Sequence, residues 1–392
     1  MSRVQTMKFT TMNKVPPLPE PQSEDCGSDL LYSTATPAVP WESPFTELIL
    51  HLLVGFLAFA GTFIVYQIEY NRRNGQPKTD LRHIPPEWIG YQQTAVFACP
   101  IGGKATCFAL FDDSTFVIGS ADPPRLSLFD DTGTLLRTID LPEEPRAIVC
   151  GTPNTIFTDK IVVAHLAQIA IYHAEGKQVA SHELNDEKLD IRSLVLTSKY
   201  LFAADTGNRL IYRFNPSDHW HTLAIGTSAS PVHVTSVFSR HAKPFDGFVV
   251  YAAPITMTFS HQSGLLYIAN PGRHRVDVFT QDGFYQPELS WGEPSSSLSG
   301  FAGCCNPIGL AALDDGRMLT VEKAIPRIKI FRTDGHLDTV VAGPNILEDV
   351  PATLGRTPTE PGGRYFAAVP LSEGRIAAFD YEYAVVRLFS PL

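Results

Sequence analysis

Six segments of the chain alternate apolar and polar residues, end on an aromatic or Leu-Phe pair, and mostly run straight into a tight acidic-Gly turn. The first three are Arg125–Phe129 before Asp131-Thr132-Gly133, Gln168–Tyr172 before Glu175-Gly176, and Leu210–Phe214 before Asn215-Pro216. The others are Arg275–Phe279 before Asp282-Gly283, Arg327–Phe331 before Asp334-Gly335, and Val385–Phe389 at the end of the chain. Period-two alternation closed by such a turn marks a strand entering a hairpin, and its return every roughly 40 to 65 residues marks an array of blades. The pattern predicts an all-β, six-bladed β-propeller. Its blades are expected over Thr106–Leu141, Arg146–Glu183, Ile191–Ile225, Ile255–Ser290 and Ile308–Ala342, with a sixth from Tyr365 to Phe389 that is one strand short.

An open seam between first and last blades would leave an unpaired sheet edge. Gln93–Pro100 resembles the segment expected as the outer strand of blade five, Asp338–Pro344, in pattern and in its closing proline. The N-terminal segment is therefore expected to complete blade six and lock the ring.

Before the propeller the pattern changes. Residues 1–44 are rich in Pro, Ser, Thr and Glu without a sustained apolar period, which predicts a disordered tail. Residues 45–68 are almost wholly apolar, and about 20 such residues in a helix cross roughly 30 Å of hydrocarbon, so one transmembrane helix is expected there. Ala58-Phe59-Ala60 resembles a signal-peptide cleavage site, but the preceding segment is long and not basic, and the apolar run continues past Gly61. The expected location is a cell membrane, with a single pass. Arg72, Arg73, Lys78 and Arg82 follow the helix; the positive-inside rule alone would keep the large domain cytoplasmic, and its side is left open. Residues 69–90 read as a polar linker and residues 91–392 as the propeller.

With 392 residues, one propeller accounts for most of the length. The net charge of -10 lacks the basic footprint that a phosphate backbone demands, so nucleic acid is excluded as an expected partner. Cys26, Cys99, Cys107, Cys150, Cys304 and Cys305 do not have the spacing of a small disulfide scaffold.

The turns between blade strands carry Ala204-Asp205-Thr206-Gly207-Asn208-Arg209, Ala269-Asn270-Pro271-Gly272-Arg273-His274-Arg275 and Val321-Glu322-Lys323-Ala324-Ile325-Pro326-Arg327. These resemble the NHL-repeat propellers. Gly303-Cys304-Cys305-Asn306-Pro307, followed by Asp315-Gly316-Arg317, Glu322-Lys323 and Val341-Ala342-Gly343-Pro344, is similar to a group of bacterial membrane-anchored NHL proteins. The resemblance covers roughly residues 85–392 and implies architecture more than activity. NHL propellers include protein- and RNA-binding modules and a few catalytic relatives with metal in the channel. Blade two departs from the pattern, with Ala164-His165-Leu166-Ala167-Gln168.

In four-stranded blades, the connectors between blades and the turns between second and third strands emerge on one face. The long connectors Gly226–Pro254, Trp291–Pro307 and Gly343–Arg364 therefore crowd one rim, where binding residues concentrate. Cys304 and Cys305 stand there as candidate metal or redox thiols; a vicinal disulfide or two packed thiols are the structural alternatives. Acidic turn residues (Asp122, Asp205, Asn270's equivalent amide, Glu322, Asp380) followed by Arg read more simply as caps and within-blade ion pairs. Arg273-His274 and Glu322-Lys323 exceed what the repeat requires, so the ligand-binding candidates are Arg273, His274, Asn306, Glu322, Lys323 and Arg327. His219 and His221 are expected on one face of an outermost strand.

No nucleophile elbow, P-loop or His-Glu-x-x-His is present, and no motif assigns a cofactor. The expected function is binding of a protein or small ligand by the loop-rich rim. The alternatives are a metal-dependent lyase or lactonase-like enzyme using Asp205, Asn270, Glu322 and the cysteine pair, or a redox or metal-binding protein built on that pair.

Overall fold

The computed structural model describes residues 81–227, 245–349 and 365–392. The expected tail and membrane helix, and most of the linker, lie outside the described residues. Among the described residues no helix is long and apolar enough to cross a membrane.

The described chain forms six antiparallel sheets. Strand β1 (Tyr91–Ala98) comes first, followed by blade one with β2 (Ala105–Asp112), β3 (Thr115–Ala121), β4 (Pro124–Asp130) and β5 (Leu135–Asp140). Blade two holds β6 (Ala147–Cys150), β7 (Lys160–Ala164), β8 (Gln168–His173) and β9 (Gln178–Glu183). Blade three holds β10 (Ile191–Leu196), β11 (Leu201–Asp205), β12 (Leu210–Asn215) and β13 (His221–Ile225). Blade four has β14 (Thr256–Ser260), β15 (Leu265–Asn270) and β16 (Arg275–Thr280). Blade five has β17 (Gly309–Ala312), β18 (Met318–Glu322), β19 (Arg327–Phe331) and β20 (Leu337–Ala342), and blade six has β21 (Phe366–Pro370), β22 (Ile376–Asp380) and β23 (Val385–Pro391).

The recurring alternating segment is the third strand of each blade. The turn after it uses a glycine at positive φ, +84° at Gly133, +94° at Gly176, +86° at Gly283 and +80° at Gly335, a conformation that costs glycine nothing. At Gly335 a Cβ would also meet the Trp291 side chain at 2.5 Å.

Blade six closes as expected: β1 runs antiparallel to β23, from Tyr91 opposite Pro391 to Ala98 opposite Val385. Blade four does not follow expectation, since its sheet has three strands. After the Gly283 turn the segment continues the ladder through the isolated bridges Phe279–Tyr285 and Val276–Trp291 and the Gln286 N–H to the Val278 carbonyl, without forming a strand. Pro287 lies between them, and a proline has no N–H to donate to a ladder.

The first strands of successive blades adjoin one another around the ring, β2 to β6 to β10 to β14 to β17 to β21 and back to β2. Each seam between blades is an apolar cluster. Val117, Ile139 and Ile161 pack between blades one and two, Phe202, Phe245 and Phe279 between three and four, and Phe108, Phe116 and Phe379 between six and one. Phe108 stacks on Phe379 with centroids 4.7 Å apart. Each such buried side chain contributes about 1.5–3 kcal/mol.

The last ten residues of the expected linker pack on the propeller. Ile89 bridges Val340 in parallel, the Gly90 N–H donates to the Val340 carbonyl, Thr339 Oγ1 donates to the Trp88 carbonyl, and Ile84 is buried. These residues cover the outer edge of β20, a protection exposed edges otherwise lack.

Candidate functional site

The second strands of blades three to six end on Asp205, Asn270, Glu322 and Asp380, all fully or almost fully buried. Each has its own local task. Asp205 Oδ1 accepts from the N–H groups of Asp190, Gly207 and Asn208, and Asp380 Oδ1 from that of Glu382. Asn270 Oδ1 accepts from the Val249 N–H, while its Nδ2 donates to Asp277 Oδ2 at 2.7 Å. These are the turn caps that short polar side chains make wherever backbone donors converge.

Glu322 is the exception, because it anchors a buried ion cluster. Its Oε2 takes Arg327 Nη2 at 3.1 Å and its Oε1 takes Lys329 Nζ at 2.5 Å, with all three side chains at most 1% exposed. The Lys329 ammonium also donates to the carbonyls of Leu298 and Gly300 at 2.8 and 2.7 Å, and it lies over the rings of Phe301 and Phe331. The cluster therefore ties the 291–307 connector to blade five.

Arg273, His274, Asn306 and Lys323 act on the same connectors through backbone groups. Arg273 donates to the carbonyls of Asp246 and Gly247 and pairs with Asp246 at 2.7 Å. His274, held left-handed at φ +55°, meets the Gly303 carbonyl through Nε2 at 2.6 Å. Buried Asn306 donates to the carbonyls of Ala302 and Lys323 and accepts from the Lys323 N–H. Lys323 Nζ donates to the Ala252 carbonyl at 3.0 Å and lies 5.4 Å from the Tyr365 ring; Tyr365 Oη donates to the same carbonyl at 3.2 Å. Residues 245–254, 302–307 and Tyr365 are thus joined into one surface around Lys323. Asn306, Glu322 and Arg327 are buried beneath it, while Arg273, His274 and Lys323 form part of it.

The two neighbouring cysteines differ. Cys304 is exposed and Cys305 is buried, both as free thiols. Cys305 packs into the apolar seam between blades five and six. Burial pushes its thiol above the ordinary range, opposed in part by the nearby Lys323 charge. Among the described residues no three His, Cys, Asp or Glu side chains gather closely enough to hold a metal ion.

This contrast predicts an order of alkylation. Burial raises the thiols of Cys99 and Cys107 to about 12, and it raises Cys150 as well. Thiolates are the reactive species, so at pH 8 a small alkylating agent should modify Cys304 ahead of Cys99, Cys107 and Cys150, which should be slower by at least roughly a hundredfold. Timed labelling read by peptide mass spectrometry checks this; labelling of Cys107 as fast as Cys304 would refute it.

Other residues fall outside the expected pattern. His219 and His221 do not share a strand face, because His219 and Trp220 both turn left-handed at φ +49° and +59° and β13 begins only at His221. Lys329 and Tyr365 were not legible as rim residues. His165, at the turn where blade two departs from the repeat, is 1% exposed with no well-formed hydrogen bond to either ring nitrogen, and burial lowers its pKa.

No protein-family model matches the chain, and no curated protein matches it in sequence. Solved structures match in fold. A structural-genomics protein of unknown function from Bacteroides thetaiotaomicron is 14% identical with a TM-score of 0.51, over 77% of this chain and 75% of that one. Virginiamycin B lyase from Staphylococcus aureus is 10% identical with a TM-score of 0.48, over 77% of this chain and 100% of that one. A streptogramin B lyase is also 10% identical with a TM-score of 0.48, over 79% and 100%. At these identities the likeness is one of propeller fold alone.

Proposed function

We propose that the chain is a membrane-anchored, NHL-type propeller that binds a partner protein or small ligand through the rim of blades four to six. The observation that carries this reading is the joined loop surface. Lys323, His274 and Asn306 fix two connectors, 245–254 and 302–307, by hydrogen bonds to backbone groups, so the surface is preorganised and little ordering entropy is lost on binding. It leaves Tyr251 74% and Tyr365 40% exposed, beside exposed Cys304. Exposed tyrosines on a rigid frame are favoured anchors for a protein partner. The acidic side chains that a metal-dependent enzyme would recruit are instead committed to separate caps and one buried ion cluster, which favours binding over the lyase or lactonase-like reading. The anchor rests on the apolar run of residues 45–68, and the NHL assignment on the turn motifs around Asp205, Asn270 and Glu322.

The test places a photo-crosslinking residue at position 251, 365 or 179 of the full chain in cells, followed by carbonate washing of membranes. Val179 is about as exposed as Tyr365, at 44%, but lies on the outermost strand of blade two. Adducts of one mass from positions 251 and 365, absent from 179 and retained in the washed pellet, are the expected result. Equal adducts at 179, or none at the rim, would end the binding proposal. Release of the protein by the wash would end the anchor alone.

A further inference from the structure

A second recess lies beside the buried ion cluster and shares no residue with the Lys323 surface. It is a cleft of about 330 Å³ between the packed linker and the 291–307 connector, with Leu81, Pro85 and Leu298 as apolar walls, His83 and Ser297 at its sides, and Arg327 lining it. Arg327 carries five N–H donors in a planar fork. Among the described residues only Nη2 has an acceptor, Glu322 Oε2, while Nε is enclosed without one. The side chain is 1% exposed, so water does little to compensate the missing bonds, and an enclosed donor left without an acceptor is costly.

The charge balance points the same way. Two cations, Arg327 and Lys329, share the single carboxylate of Glu322. Lys329 is fully engaged with Glu322 and the two connector carbonyls, so the unmatched donors belong to Arg327, which lines the cleft. On the wall, Ser297 Oγ lies within hydrogen-bond distance of both Ser295 Oγ and Ser299 Oγ, a chain of hydroxyls able to turn a donor inward. Guanidinium forks match carboxylate and phosphate oxygens, and such bonds strengthen in a low-dielectric recess. The apolar walls would receive a body without charge.

We propose that this cleft binds an amphipathic organic oxyanion, with its carboxylate or phosphate on Arg327 and its apolar part against Leu81, Pro85 and Leu298. This site stands independently of the rim partner, since the two surfaces have no residue in common.

The probes are phenyl phosphate, benzoate and inorganic phosphate, titrated calorimetrically into the purified full chain. Phenyl phosphate or benzoate should saturate at one site, with inorganic phosphate at least about tenfold weaker because it lacks the apolar part. Arg327→Met should weaken the aryl anion by at least roughly tenfold through loss of the charge-assisted bond. Ser297→Asp, an exposed wall substitution that leaves the Glu322 cluster intact, should weaken it similarly by repulsion, whereas Ser297→Asn should not. Absence of saturable binding by either aryl anion, or Ser297→Asp binding as tightly as the parent, would overturn the proposal. Inorganic phosphate binding as tightly as phenyl phosphate would overturn its apolar half and leave a free-phosphate site.

Discussion

Deletion of Tyr91–Ala98 should abolish cooperative folding of the propeller. This strand is the outermost member of blade six and pairs along β23 from one end to the other. Its loss removes buried Tyr91 from the seam between blades five and six and half-buried Phe97 from the seam between six and one, at about 1.5–3 kcal/mol for the buried ring and less for the half-buried one. It also removes Gln93, whose Oε1 accepts from buried Arg387 at 3.2 Å. The sum approaches the whole net stability of a domain, about 5–15 kcal/mol, before the open edge of β23 is counted as a template for aggregation. The comparison is with a chain lacking only residues 1–78, which precede the described residues. Thermal unfolding with light scattering should give a single transition for that parent and early aggregation for the deletion. Matching transition temperatures would mean that β23 is covered by other means.

Blade number, blade limits and ring closure were legible because each rests on a local signal: alternation, an acidic-Gly turn, or the incomplete last repeat. What alternation misled about is the polar face. The middle residues of the repeated strand include Ser127, Asp277, Lys329 and Arg387, which as polar positions in a half-solvated strand would face water, yet all four are buried. A propeller blade is covered on both faces by its neighbours, so these groups are satisfied inside the protein instead, Asp277 within its own blade by Arg275, Asn270 and Tyr285 and Lys329 by Glu322 of its own blade and the connector carbonyls of Leu298 and Gly300. The missing fourth strand of blade four was obscured because Pro287 falls inside an otherwise acceptable segment. For the candidate site, topology alone grouped Arg273, His274, Asn306, Glu322 and Lys323 at one end of blades four and five, as the structure has them. Their partners could not be read, since most are carbonyls of irregular connectors such as Ala252 and Gly303, and no periodicity marks a backbone acceptor.

Glu322→Ala should be the most damaging single substitution in blade five. Among the described residues the carboxylate is the sole anion paired with Arg327 and Lys329, each buried, and removing one member of a buried ion group typically costs about 3–5 kcal/mol because the remaining charge is stranded. Replacing all three by apolar residues, Glu322→Leu with Arg327→Met and Lys329→Met, should cost far less, since no charge is then left behind. A pH dependence separates this account from simple cavity formation. Burial lowers Lys329 to about 8 from an ordinary 10.5, so between these values the unfolded chain binds more protons than the folded one and stability rises with pH. Without Glu322 the folded pKa should fall further, which extends that window downward. The deficit of Glu322→Ala, measured by denaturant unfolding of the chain lacking residues 1–78, should therefore shrink from pH 7 to pH 9.5. A deficit unchanged with pH would assign the loss to packing, and one below about 1 kcal/mol would mean that water reaches the cluster and compensates its charges.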